Sequence, residues 1–329
     1  MLILGNADVR RLLDGQHTQI VAAVRHAYLE HARGETTVPE SVFLRFPHNA
    51  RDRIITLPAY LGGDEPVVGV KWIASFPGNV AAGRERASAV IVLNSPATGQ
   101  PLCMMEGSVV SSRRTAASAA LASATLPGAE PVEGVSVIGC GVINAEILRF
   151  LRAVHPELRR VTIFDLDAER AQAFARRCAA ELKVTASVVA DADEALAAHP
   201  LVSLATTAAT PHIDLHACRP GTLVLHVSLR DVTIGGVLDA VNIVDDRDHV
   251  LRAATSVHLA EQHVGHRGFI QATIGDLLQK GPTHPRDAQR VTLFSPFGLG
   301  VLDLAVADMV LRTAREQGLG VDLPDFLPA

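Results

Sequence analysis

The sequence predicts an α/β protein in which a doubly wound parallel sheet is joined to a second, α+β domain. Three observations carry that expectation. The chain has 329 residues, more than one ordinary core organises, so two domains are expected. The stretch Gly134-Val135-Ser136-Val137-Ile138-Gly139-Cys140-Gly141-Val142-Ile143-Asn144-Ala145 runs from a short apolar segment through a glycine turn into helical spacing. Beyond it, apolar runs at 184–189, 201–206, 222–228 and 241–244 recur in the βα rhythm of a parallel sheet.

Taken in order, the first element is a helix over 20–32, where apolar side chains recur at helical spacing and Arg33-Gly34 supplies a stop. Val38-Pro39 opens extended chain, and β-type runs follow at 41–46, 53–57, 67–73 and 89–94. Asn94-Ser95-Pro96-Ala97-Thr98-Gly99 has turn composition, and 101–106 returns as another strand, which gives a mostly antiparallel sheet. Small, helix-favouring residues over 111–124 predict a helix closed by Pro127-Gly128. The domain boundary is placed there, with residues 1–126 in the first domain and 127–294 in the second. The stretch 291–298 interrupts the βα rhythm, and 301–313 predicts a long apolar helix carrying Asp303 and Asp308. Residues 295–329 thereby complete the first domain. No internal repeat or low-complexity segment is present.

The glycine turn has the chemistry of a dinucleotide site. Gly139 permits a tight turn and Gly141 a close approach of backbone N–H groups to a pyrophosphate, whose charge then meets the positive end of the helix. The next strand, 161–164, ends in Asp165, where a carboxylate accepts hydrogen bonds from ribose hydroxyls. That placement predicts a Rossmann-type domain and NAD over NADP. Asn144 stands where the fingerprint has its third glycine, which predicts looser packing of helix on strand. The competing reading is a glycine-rich turn in a flavodoxin-like sheet without cofactor; strand, helix and acid in register favour the dinucleotide.

Composition narrows the function classes. With 20% charged residues and a net charge of −5, the chain has no basic bias toward nucleic acid or membrane surfaces, and 4% aromatic residues argue against base-stacking platforms. The N-terminus turns polar by Asn6 and no apolar run is long enough to span a bilayer, so a cytoplasmic enzyme is expected. Cys103, Cys140, Cys178 and Cys218 are too scattered for a zinc site or disulfide framework, which predicts reduced, structural thiols. His258, His263 and His266 are spaced by five and three, not a clean ligand pattern, and no metal is expected. Ser111, Ser112 and Thr115 lack a nucleophile elbow.

Gly69-Val70-Lys71-Trp72, Arg114-Thr115-Ala116-Ala117, the Gly139 turn with Asp165, Asp231 and Ser295-Pro296-Phe297-Gly298-Leu299-Gly300 occur together in this chain. In that order they resemble the ornithine cyclodeaminase and mu-crystallin superfamily over nearly the whole length. Within it, Leu57-Pro58-Ala59-Tyr60-Leu61-Gly62-Gly63, Glu85-Arg86-Ala87-Ser88, Val92-Leu93-Asn94 and Met105-Glu106-Gly107-Ser108 look like the dehydrogenases of 2,3-diaminopropionate biosynthesis, which serve siderophore and peptide-antibiotic pathways. The resemblance implies a substrate-binding and dimerisation domain beside the NAD domain, a homodimer, and no metal. It implies NAD-dependent oxidation of N-(2-amino-2-carboxyethyl)-L-glutamate, with release of 2,3-diaminopropionate and 2-oxoglutarate.

By the same resemblance Arg45, Lys71 and Arg114 line the substrate pocket, with Lys71 beside the reacting carbon. Arg86 adds a cation that suits an extra substrate carboxylate. Asp231 holds the substrate nitrogen and assists proton transfer, while Gly139, Gly141, Val142, Ile143, Asp165 and Thr115 bind the cofactor. The residues alone add that Lys71 sits in a strand setting that favours burial, and that Asp231 follows the strand over 223–228 at the carboxyl end of the sheet, where ligands bind. Family cyclodeaminases carry a glutamate just before the position of Pro58, and here Leu57 stands there; the departure counts against ornithine cyclisation. The alternatives are an ornithine cyclodeaminase, a ketimine or alanine-type reductase on the same fold, and a non-catalytic mu-crystallin-like binding protein.

Overall fold

The computed structural model describes residues 1–327, so the last two residues of the expected C-terminal segment lie outside the described residues. The chain divides into two compact units, Met1–Arg114 with Leu299–Ala329, and Thr115–Gly298.

The first unit contains β1 (Leu2–Leu4), α1 (Asn6–Leu13), α2 (His17–Ala32), β2 (Thr36–Thr37), β3 (Val42–Phe46), β4 (Asn49–Leu61), β5 (Val67–Ser75), β6 (Ala87–Asn94), β7 (Pro101–Glu106) and the start of α3 (Ser108–Thr125). The division falls inside α3, ahead of the Pro127-Gly128 break. The second unit continues with β8 (Gly134–Ile138), α4 (Val142–Val154), β9 (Arg160–Phe164), α5 (Ala168–Leu182), β10 (Thr185–Val188), α6 (Ala192–Ala198), β11 (Leu201–Leu204) and β12 (Leu223–His226). It ends with α7 (Ile234–Asp239), β13 (Val241–Val244), α8 (Ser256–Val264), β14 (Ile270–Thr273), α9 (Ile274–Lys280) and β15 (Thr292–Ser295). Then α10 (Gly300–Gln317) and β16 (Val321–Asp322) return to the first unit.

The sheet of the first unit runs β16-β1-β7-β6-β5-β4-β2, with β3 paired to β4. Its long hairpins are antiparallel, and β1 joins β7 in parallel. Period-two alternation sets its faces: in β5, Gly69 and Lys71 are buried while Trp72 is exposed. The buried face is covered by α10. Two glycines let that helix come close, because a Cβ on Gly69 would lie 3.2 Å from Leu304 and one on Gly300 would lie 3.0 Å from the Ala59 methyl; a Cβ on Gly69 would also lie 2.3 Å from the carbonyl oxygen of Val92 on β6.

The second unit is the doubly wound sheet, ordered β10-β9-β8-β11-β12-β15-β13-β14 and parallel throughout. Every residue of β8 is buried, as expected of a strand with both faces covered. The stretch 291–298 is less of a break than its composition suggests. Thr292–Ser295 is a fully buried strand inserted between β12 and β13; Pro296 and Gly298, which follow at once, disguise it. The strands expected over 201–206 and 222–228 stop at Leu204 and His226, and the residues beyond them form loops at the carboxyl end of the sheet. Among the described residues no helix is long and apolar enough to cross a membrane.

Candidate functional site

In the first unit a buried carboxylate joins two of the expected cations. Lys71 Nζ donates to Asp303 Oδ2 at 2.6 Å and to Ser111 Oγ at 3.2 Å, and Arg114 Nε donates to Asp303 Oδ1 at 3.0 Å. Strand alternation aims Lys71 inward, and the tight approach at Gly69 and Gly300 brings the first turn of α10, with Asp303, over it. Glu106 accepts the N–H groups of Ser108 and Val109 and so starts α3. Ser111 and Arg114, three residues apart, then share one face of that helix.

Lys71 and Asp303 are 2% and 0% exposed. Burial pushes the Lys71 ammonium down to about 8, against the opposing pull of Asp303. One carboxylate balances only one of the two cations, so the cluster keeps a surplus positive charge.

Two further cations lie on the same unit. Arg45 on β3 pairs with Arg53 on β4, which pairs with Ser75 on β5; since Lys71, Ile73 and Ser75 alternate along β5, Arg45 belongs to the face that carries Lys71. It is exposed, with its guanidinium 5.6 Å from the Phe43 ring centroid. Arg86 immediately precedes β6, where its carbonyl accepts the N–H of Phe76 at 2.9 Å. Partial burial lowers its guanidinium below the usual arginine value. Neither Arg45 nor Arg86 has a carboxylate partner among the described residues.

The second unit holds the glycine turn. Gly139 has φ +94°, and a Cβ there would sit 2.5 Å from the Ala205 carbonyl oxygen, so only glycine fits. At Gly141 the Cβ side is open. No side chain caps the start of α4, and the N–H groups of Gly141, Val142 and Ile143 meet no acceptor among the described residues. Such a cradle suits an anion. Asp165 accepts the Cys140 N–H at 2.7 Å and the Asp167 N–H at 3.0 Å, with Arg170 3.8 Å away. A carboxylate has lone pairs beyond those two bonds, which ribose hydroxyls can use. The turn, the uncapped helix and the acid therefore fit an unphosphorylated dinucleotide. Thr115 follows Arg114 on α3, the first residue of this unit. Burial, then the charge of Asp165, pushes the Cys140 thiol up to about 12, so the helix start does not activate it.

Asp231 lies in the loop after β12 and is 0% exposed. It accepts the hydroxyls of Thr206 and Ser228, and His226 Nε2 is 3.4 Å from Oδ2. Burial alone would raise this carboxyl; His226, through hydrogen bonding and charge, and then Ser228 and Thr206 hold it below the usual carboxylate value. Leu229 in this loop has positive φ, as do Ala253 and Ala254 in the separate loop between β13 and α8. Ser256 N–H donates to the Leu229 carbonyl at 2.7 Å, and Arg230 to that of Ala253 at 2.8 Å. His258 and His263 lie on α8 with His266 just beyond, and among the described residues no group of three or more metal-ligating side chains is assembled. The four cysteines are free.

Sequence reasoning missed Asp303 and His226 as site residues. Asp303 was visible as an acid within an apolar helical stripe, a placement that is rare without a buried partner. His226, inside an otherwise apolar strand, gave the same kind of signal.

The ornithine cyclodeaminase/mu-crystallin family model matches residues 3–318. N-((2S)-2-amino-2-carboxyethyl)-L-glutamate dehydrogenase of Staphylococcus aureus is 28% identical, over 98% of this chain and 98% of the relative. Among solved structures, Delta(1)-pyrroline-2-carboxylate reductase of Thermococcus litoralis, in complex with NADH and L-proline, superposes with a TM-score of 0.91 at 25% identity, covering 98% of this chain and all of that one. An archaeal alanine dehydrogenase dimer with bound NAD superposes at 0.87 with 26% identity, over 99% of each chain. The fold agrees with these likenesses, and the chain belongs to the ornithine cyclodeaminase/mu-crystallin family.

Proposed function

We propose that the protein is an NAD-dependent amino-acid dehydrogenase that cleaves N-(2-amino-2-carboxyethyl)-L-glutamate to L-2,3-diaminopropionate and 2-oxoglutarate, a supply step for siderophore or peptide-antibiotic assembly. The observation that carries the reading is the surplus of cations: Lys71 and Arg114 share one carboxylate, and Arg45 and Arg86 have none among the described residues. A substrate with three carboxylates matches that surplus, whereas ornithine would bring a further cation into it. The resemblance to the Staphylococcus aureus dehydrogenase supports the same substrate.

In this reading residues 1–126 with 295–329 bind substrate and 127–294 bind NAD. Arg114 and Arg45 present forked donors to carboxylates, Arg86 takes the additional one, and Lys71 sets a point charge beside the reacting carbon. NAD, when bound, would supply the acceptor for the hydride on the glutamate α-carbon. The substrate nitrogen gives up its proton and a C=N bond forms; water then adds to that carbon and the C–N bond breaks, leaving the ketone of 2-oxoglutarate and the amine of diaminopropionate. Asp231, held as a carboxylate, orients the substrate nitrogen and accepts a proton. Gly139, Gly141, Val142 and Ile143 present backbone to the pyrophosphate, Asp165 receives the ribose, and Thr115 adds a polar contact to the cofactor. An enzyme that draws on NAD works where that pool is, in the cytoplasm, and we place this one there as a homodimer.

The test is mass spectrometry of the products after incubation with NAD and the glutamate adduct, with NADH absorbance followed in parallel. Diaminopropionate and 2-oxoglutarate in equal amounts are expected. NADH formation with alanine or proline but not with the adduct would assign the chain to a different substrate, and no NADH with any of them would leave a binding protein.

A further inference from the structure

Asn144 occupies the position where the dinucleotide fingerprint has its third glycine, and it is fully buried in the first turn of α4. Far from loosening the helix, its side chain ties the turn together. Nδ2 donates to the carbonyls of Ile138 at 3.0 Å and Gly139 at 2.6 Å, and Oδ1 accepts from Ser203 Oγ on β11 at 2.7 Å. Both amide hydrogens and the amide oxygen are therefore engaged.

The consequence follows from peptide planarity. With the Gly139 carbonyl drawn to Asn144, the N–H of the same trans peptide, that of Cys140, points the opposite way. That N–H is the one that donates to Asp165 Oδ2 at 2.7 Å. A single peptide plane thus connects Asn144 to the acid at the end of β9. Ser203, in turn, anchors the amide to a neighbouring strand that pairs with β8. The remaining N–H groups of the turn, on Gly141, Val142 and Ile143, meet no acceptor among the described residues.

We propose that Asn144 is a positioning residue for the dinucleotide: by fixing the Gly139–Cys140 peptide it holds the turn and Asp165 together in the form that receives pyrophosphate and ribose. The inference rests on the reading of this turn as a dinucleotide site. A glycine at 144 supplies none of these bonds, so restoring the usual fingerprint residue is expected to impair the site.

Asn144→Gly and Ser203→Ala, each checked for folding by thermal melting, are titrated with NADH and NADPH by fluorescence. Asn144→Gly is expected to raise the NADH Kd by about 5- to 20-fold and to narrow the NADH-over-NADPH preference several-fold, because Asp165 loses its tether to the turn. Ser203→Ala keeps both Asn144 donors and is expected to raise the NADH Kd by about 2- to 5-fold. Unchanged NADH affinity in Asn144→Gly, or equal loss for both nucleotides, overturns the proposal. If that variant does not fold, Ser203→Ala decides: unchanged affinity overturns the proposal and a narrowed preference supports it. A parent protein that binds no NADH refutes the dinucleotide reading instead.

Discussion

At the scale of single residues, charge and burial set what the site can do, and two positions make that measurable. Asp165 receives the Cys140 N–H, and Arg170 stands 3.8 Å from it. A 2′-phosphate would meet the carboxylate's charge first, so NAD should bind better than NADP. Asp165→Ala removes the repulsion and leaves Arg170 in place, and the gap should shrink by roughly tenfold or more; equal affinities in the parent protein would refute the role. Lys71 is a second case. Burial lowers it to about 8 from an ordinary 10.5, so its ammonium is present at pH 7 and discharges as pH rises through that value. Glutarate, a simple dicarboxylate probe, should therefore bind with an affinity that falls roughly fivefold or more between pH 7 and 9.5. Lys71→Gln should flatten the profile across this range, and calorimetric titration at four pH values decides it. A flat profile in the parent would mean that anions do not sense Lys71.

Elements show why some of this was legible in sequence and some was not. The β8–turn–α4 unit could be read directly because every residue it needs is local: the apolar strand, Gly139, Gly141 and the helical spacing lie within one short segment. The longer strands of the first unit, β3 to β7, fall on β-type runs legible in the sequence, whereas the short β1, β2 and β16 carry no such signal. By contrast, β15 was hidden because Pro296 and Gly298 follow four buried residues that a central position in the sheet explains and local sequence does not. The pairing of Lys71 with Asp303 spans 232 residues, and no local pattern encodes a contact of that separation. What encodes it is the packing of α10 on β5. Gly69 is a close point, since a Cβ there would press on the backbone carbonyl of Val92 on the neighbouring β6, which cannot rotate away, and would come within 3.2 Å of Leu304 on α10. Gly69→Ala should cost about 1–3 kcal/mol of unfolding free energy by urea titration, and should reduce glutarate binding because Asp303 moves with α10. A variant as stable as the parent would show that the helix has slack at this point.

The whole molecule raises the question of what covers the other face of the first unit's sheet. Cross-strand register places Val42, Thr56, Trp72, Val90 and Glu106 in one row, Leu44, Ile54, Ala74 and Ser88 in the next, and Pro58, Val70, Val92 and Met104 in another, all on the face away from Lys71. Val42 is 64% exposed and Trp72 44%, and Leu44, Tyr60, Val90 and Met104 are exposed beside them. Scattered exposed apolar residues are ordinary, but a sheet face on which apolar side chains predominate in every row marks an interaction surface. A second copy of the chain is the occupant that the proposed homodimer requires, and the superposable alanine dehydrogenase is a dimer. Replacing two neighbours in one row, Trp72→Glu with Val90→Glu, would set four carboxylates in a two-fold interface without cations to pair them, a cost of several kcal/mol where water is excluded. Both positions lie on the face opposite the cation cluster, so each chain should still fold and bind NADH. Sedimentation should then show a dimer for the parent and a monomer for the double variant. A monomeric parent, or a variant that sediments as a dimer, would place the association elsewhere and leave this face without its proposed partner.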